Sequence, residues 1–127
     1  MMRTMAVAAL AGAVVTIALP VVASAQVTRV VAVARPARYD GPCPARFEFI
    51  GTIYVAHPTV VTFRWDRSDG AKGPVQSVAI NSGGQSVATQ WQINGPPGRL
   101  YAGWETLHVL TPVDMFSNRA TINLACR

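Results

Sequence analysis

The chain has 127 residues, of which 50% are hydrophobic and 13% charged, with a formal net charge of +5. This composition excludes an intrinsically disordered chain, and the length leaves room for one core rather than several. The two cysteines lie far apart in sequence, which excludes Cys-x-x-Cys redox or zinc chemistry.

In chain order, Arg3 is followed by an apolar run from Met5 to Val22 and then by Ala23-Ser24-Ala25. This is the anatomy of a secretory signal peptide cleaved before Gln26. An uncleaved anchor is the competing reading, since an apolar run of about 18 residues is near the lower limit for spanning a bilayer. Pro20 and the Ala-x-Ala motif favour cleavage. Residues 1–25 are therefore read as the leader and residues 26–127 as one domain, secreted or periplasmic, with no transmembrane segment after cleavage. Without Arg3 the formal charge is +4, from nine arginines and one lysine against six acidic residues.

Beyond Gln26, apolar residues recur at every second position and turn residues interrupt them at short intervals, which predicts an all-β fold. Seven strands are expected, at 27–34, 46–55, 59–67, 75–80, 86–93, 101–110 and 119–126. The second carries Phe47, Phe49, Gly51, Ile53 and Val55 on one face, and the third Val61, Phe63 and Trp65. The fifth turns Val87, Thr89, Trp91 and Ile93 inward, the sixth Leu107 and Val109 against an outward His108, and the seventh Ala120, Ile122 and Leu124. Asp69-Gly70, Asn81 to Gly84 and Asn94 to Gly98 supply turn chemistry between them. Trp104 is out of phase with Leu107 and Val109. Either a bulge after Gly103 turns its ring inward, the preferred reading, or the ring lies on the outer face. Met115-Phe116, in the last connection, are read as a plug on the end of the core in preference to an exposed contact patch.

Seven short strands at this spacing suggest a β-sandwich of immunoglobulin or fibronectin type III kind. With strands alternating in direction, the start of the second strand and the end of the seventh lie at one pole. Cys43 and Cys126 occupy those positions, and in an exported chain they are expected to pair as a disulfide.

The succession Tyr39-Asp-Gly-Pro-Cys-Pro44, Phe49-Ile-Gly-Thr-Ile53, Thr62-Phe-Arg-Trp-Asp-Arg-Ser-Asp-Gly-Ala71, Tyr101-Ala-Gly-Trp-Glu-Thr-Leu-His-Val109 and Ser117-Asn-Arg-Ala-Thr-Ile-Asn-Leu-Ala-Cys126 resembles a group of small bacterial secreted immunoglobulin-like domain proteins, mostly uncharacterised. The resemblance implies a fold and a secreted location. It supplies no activity and no catalytic residues.

Five charges crowd into Phe63 to Gly73: Arg64, Asp66, Arg67, Asp69 and Lys72. Alternating strand direction gathers Arg35, Arg38, Arg46, Arg67, Lys72, Arg99 and Arg127 at one pole, with Asp40 and Asp69. The candidate ligand-binding residues are Arg67, Asp69, Lys72, Arg99 and Arg38, whose guanidinium forks suit an anionic glycan, a lipid surface or an acidic protein. Nucleic acid is not expected as a partner of an exported chain. No cofactor or metal is expected: His57, His108 and Asp114 make at most an incomplete ligand set. Gly-x-Ser-x-Gly is absent, and Asp66 and Asp69 sit among arginines that suit neither acid nor base catalysis. The sequence is thus read as a secreted, non-catalytic binding or structural module. The alternatives are an anionic-surface binder using the arginine pole, and a small secreted hydrolase with an unrecognised site.

Overall fold

The structure, a computed structural model, describes residues 9–17 and 26–127. Residues 9–17 adopt no regular secondary structure, and the expected cleavage motif, Ala23-Ser24-Ala25, lies outside the described residues. No helix among the described residues is long and apolar enough to cross a membrane.

The remainder is all-β, with nine strands among the described residues where seven were expected: β1 (Val27–Arg35), β2 (Arg38–Gly41), β3 (Ala45–Val55), β4 (Thr59–Arg67), β5 (Gln76–Ile80), β6 (Gly83–Ile93), β7 (Leu100–Thr111), β8 (Met115–Phe116) and β9 (Ala120–Cys126). The two additions, β2 and β8, are short segments within expected connections. Neither alternates long enough to announce itself; each is a strand only because a neighbour pairs with it. β2 lies parallel to β9, where Tyr39 faces Leu124 and Gly41 faces Cys126, and β8 pairs with the middle of β7.

The strands form two sheets. One is three-stranded, in the order β1-β3-β6; the other runs β2-β9-β7-β4-β5, with β8 beside β7. Their inner faces share one core, in which Phe47, Phe49 and Ile53 of β3 meet Val61 of β4, Leu107 and Val109 of β7 and Ile122 of β9, all nearly inaccessible to solvent. The expected alternation holds along β3, where buried Phe47 and Phe49 bracket exposed Glu48. Trp104 faces outward instead: β7 and β9 stay in uniform register from Leu100 to Glu105, so no bulge turns its ring into the core. Met115 packs against the core margin, while Phe116 is 55% exposed on the outer face and plugs nothing.

Gly51 marks the closest approach of the sheets. A Cβ there would collide with the Leu107 side chain and stand 3.0 Å from the Trp65 ring. The β1 edge is completed by a side chain: the Asn118 carboxamide accepts from Ala32 N–H and donates to Ala32 C=O, both at 2.9 Å, reproducing the pair of bonds a neighbouring strand would make.

Cys43 and Cys126 are bridged, with Cα atoms 5.4 Å apart at a sequence separation of 83. The bridge ties the entry to β3 to the end of β9. Closing a loop that long removes denatured-chain entropy worth roughly 4–5 kcal/mol, a large share of the stability of a small domain. Replacing both cysteines with serine should therefore lower the unfolding free energy by about 4 kcal/mol, measured as a lower urea midpoint. An unchanged midpoint would show that the bridge carries no such weight.

Candidate functional site

The end of β4 supplies the first part of the site. Period-2 alternation puts Trp65 and Arg67 on the inner side of the sheet, and Asp69-Gly70 then reverses the chain. Gly70 has φ +88° and donates to Arg67 C=O, while Ala71 N–H donates to the Asp69 carboxylate. A left-handed residue at that position is what a three-residue hairpin loop requires. The folded-back loop delivers Asp69 to Arg67, whose Nε donates to Asp69 Oδ1 at 3.1 Å. The guanidinium also lies 4.4 Å from the centre of the Trp91 ring on β6. Its hydrogen bonds to Asp69 hold the Arg67 pKa up and the Asp69 pKa down, the Ala71 N–H adding to the latter. Arg67 is thus a fastener across the open side of the sandwich.

Behind it sits Glu105. This residue is the cross-strand partner of Arg67 and shares the inward parity of Leu107 and Val109, so the fold buries its carboxyl to 2% exposure. Desolvation raises its pKa to about 7; the positive charge of Arg67 opposes the rise, and Asp69 adds slightly to it. Glu105 Oε2 and the indole N–H of Trp65 have no hydrogen-bond partner among the described residues. Both border a cavity of about 120 Å³ between the sheets, along with Arg67, Lys72 and Thr89. The two unpartnered atoms are themselves buried, an acceptor and a donor left without protein partners near this cavity.

The remaining candidates lie elsewhere. Arg38, on β2, borders a shallow hollow of about 480 Å³ on the outer face of the larger sheet, with Asp40, Leu100, Ala102 and Asn123. Arg99 precedes exposed Leu100 and places its guanidinium 5.5 Å from the Tyr101 ring centre. The structure therefore brings Arg67, Asp69 and Lys72 to the gap between the sheets, sets Arg38 on the outer β2-β9-β7 surface, and turns Arg99 back over Tyr101, where its Nη1 donates to Asn94 C=O at 3.2 Å. Arg127 is engaged by Asp40, its Nε donating at 2.8 Å.

A third cluster was only partly read from the sequence, which grouped His108 with Asp114 and His57 but not with Asp66 or Phe116. On the outer face of β4 and β7, His108 is 6% exposed, with Nδ1 3.2 Å from Asp66 Oδ2 and Nε2 against Asp114 Oδ1. Arg64 Nε donates to the other Asp66 oxygen at 2.9 Å. The Phe116 ring stacks on the imidazole at 3.8 Å and 16°. The available signal was the shared outward parity of Arg64, Asp66 and His108; the missing one was β8, which brings Asp114 and Phe116 over them. Trp104 lies on the same face beneath Arg119, whose guanidinium is 4.3 Å from the ring centre. His57 is exposed at the β3–β4 turn, away from this cluster. Among the described residues, no three His, Cys, Asp or Glu side chains are arranged to hold a metal ion.

No family model matches the chain, and no curated protein does. Among solved structures, an alkylpurine DNA glycosylase from Pseudomonas fluorescens, AlkC, bound to DNA containing an abasic-site analogue, is similar in fold, with a TM-score of 0.51 and 18% identity. The match covers 80% of this chain and 31% of the glycosylase, so the chain spans about a third of that protein's length. At that identity the likeness concerns the fold.

The titration of Glu105 sets a pH dependence whose sign follows from its raised pKa. Between about pH 4.5, its ordinary value, and about 7, the folded state holds a proton that the unfolded state has released. Stability is therefore highest below that window, falls through it and levels off above it, by an amount on the order of 3 kcal/mol. Glu105→Gln should flatten this part of the curve and leave the variant more stable than the parent at pH 8. A variant retaining the same slope in urea titrations would assign the dependence to another group.

Proposed function

We propose that this chain is an exported, non-catalytic binding module of immunoglobulin or fibronectin type III kind, whose ligand is an anionic glycan. The assignment to that sandwich class is supported by the order of the seven longer strands, β1-β3-β6 facing β9-β7-β4-β5. Export is supported by the leader-like first 25 residues and by a bridge of the kind that persists in oxidising compartments. The resemblance to small bacterial secreted immunoglobulin-like proteins points the same way.

The distribution of charge carries the anionic reading. Asp40, Asp66 and Asp69 are held in ion pairs with arginine, and Glu105 is buried. Arg29, Arg35, Arg38, Arg46, Lys72, Arg99 and Arg119 are exposed and outside any ion pair among the described residues. Three of these guanidinium groups are steadied over aromatic rings: Arg29 over Tyr54, Arg99 over Tyr101 and Arg119 over Trp104. Stacking fixes the plane of the fork at little entropic cost and leaves N–H edges available to sulfate or carboxylate groups. A non-catalytic role is supported by His108, whose two ring nitrogens both face carboxylates, leaving neither to activate a hydroxyl. The Ser117 hydroxyl, hydrogen-bonded to the backbone of Leu107 beside it, donates to Asn118 C=O.

On a heparin column the protein should be retained at low salt and eluted by salt, and Arg38→Ala combined with Arg99→Ala should elute earlier. Retention insensitive to salt, or coincident elution of the double variant, would sink the glycan reading. Binding to vesicles of anionic lipid without heparin retention would transfer it to a lipid surface.

A further inference from the structure

The two sheets end in four edge strands, and three of them are blunted. β1 is covered by the Asn118 carboxamide. β2 has four residues, carries Arg38 and Asp40, and lies between Pro36 and Pro42. β5 has five residues and follows Pro74. Charge, proline, brevity and covering groups are the usual means of stopping a sheet edge from recruiting another strand.

The fourth edge, β6, has none of these. It runs for 11 residues as GGQSVATQWQI, with no charge and no proline. It pairs with β3 in unbroken register from Gly83–Val55 to Ile93–Ala45, so no bulge twists its far side away. Among the described residues, no strand pairs with that far side. The inward residues Val87 and Thr89 are only half-buried, although Gly51 and Phe49, opposite them on β3, are fully buried. The core stops one strand short at this margin.

We propose that β6 pairs with β6 of a second copy of this chain, antiparallel about a two-fold axis through Ala88, so that the three-stranded sheet continues into its counterpart. A row of backbone N–H and C=O groups is completed only by another extended strand. Charge and length together favour a second copy at this edge: two net-positive molecules can meet along strands that carry no charge, and β6 has 11 residues where the equally uncharged β5 has five. Pleat symmetry fixes the register. Inward residues must face inward residues, and full overlap then sets Ala88 opposite Ala88, Val87 opposite Thr89 and Ser86 opposite Gln90. The small side chains at the axis allow close pairing, and each Val87 and Thr89 gains the neighbour it lacks.

The test uses the full chain, expressed and purified with its disulfide formed. Sedimentation equilibrium should show a monomer–dimer equilibrium, with amide exchange in residues 83–93 slowing as concentration rises. Ala88→Lys and Ala88→Glu each place like charges across the axis and should raise the dimer dissociation constant at least about tenfold. An equimolar mixture of the two should recover dimerisation as a heterodimer. Circular dichroism confirms that each variant is folded; if either fails, the double variant Ser86→Lys with Gln90→Lys, mixed with Ser86→Glu with Gln90→Glu, repeats the complementation two residues from the axis. A parent that stays monomeric to its solubility limit overturns the proposal. So do folded variants that dimerise like the parent, a mixture that recovers nothing, or β6 protection that appears only with an unrelated polypeptide.

Discussion

The contact between Phe49 of β3 and Trp65 of β4, 6.5 Å between ring centres, is where the two sheets lock together. It forms only because position 51 lacks a side chain, which lets the indole and Leu107 close onto the β3 backbone. Trp91 extends the cluster sideways, 6.4 Å from Phe49 and edge-on to Tyr101 at 5.8 Å. Aromatic area of this kind supplies much of the driving force in a domain this small, and its geometry is specific. Arg67 stacks on the outer rim of that cluster and Glu105 lies within it, so the properties of both follow from where the aromatics stop.

The same packing sorts the charges. A carboxylate placed at an inward position loses its water, and one placed beside an arginine at a turn is neutralised. The structure uses both arrangements, which leaves most of its exposed arginines without a local counter-charge. Each ion pair removes one positive and one negative group together, so the net charge is unchanged, but the positive groups left over stand apart from any acidic neighbour. Arg67 gives two of its N–H groups to Asp69, whereas Arg119, held over Trp104 and outside any ion pair among the described residues, keeps its N–H groups for a ligand.

Strands that alternate over many residues could be read directly from the sequence. β3, β4, β6 and β9 kept their expected inner faces because only one face of each can be covered. The disulfide was legible too, since strand direction put Cys43 and Cys126 at one end. β2 and β8 were not, because pairing to β9 and β7 makes them strands, and pairing is tertiary. The His108 cluster was only partly visible for the same reason: His108 and Asp114 were grouped, but its residues come from β4, β7 and the segment that β8 anchors. Glu105 was different. Its parity with Leu107 and Val109 was visible, and an acidic residue at an inward position was the available signal of a shifted carboxyl. Trp104 shows the opposite error, in which size outweighed phase: the alternation placed it outside, where Arg119 covers it.

Asn118 stands in for a missing strand with a single amide group. That economy makes one edge of the molecule depend on the chemistry of one side chain. Hydrolytic deamidation would replace its N–H donor with a carboxylate oxygen, turning an attraction to the Ala32 carbonyl into a repulsion and uncovering the middle of β1. An aged molecule would then present two unguarded sheet margins in place of one. The guard on the β1 side of the three-stranded sheet thus rests on the chemical lifetime of one amide.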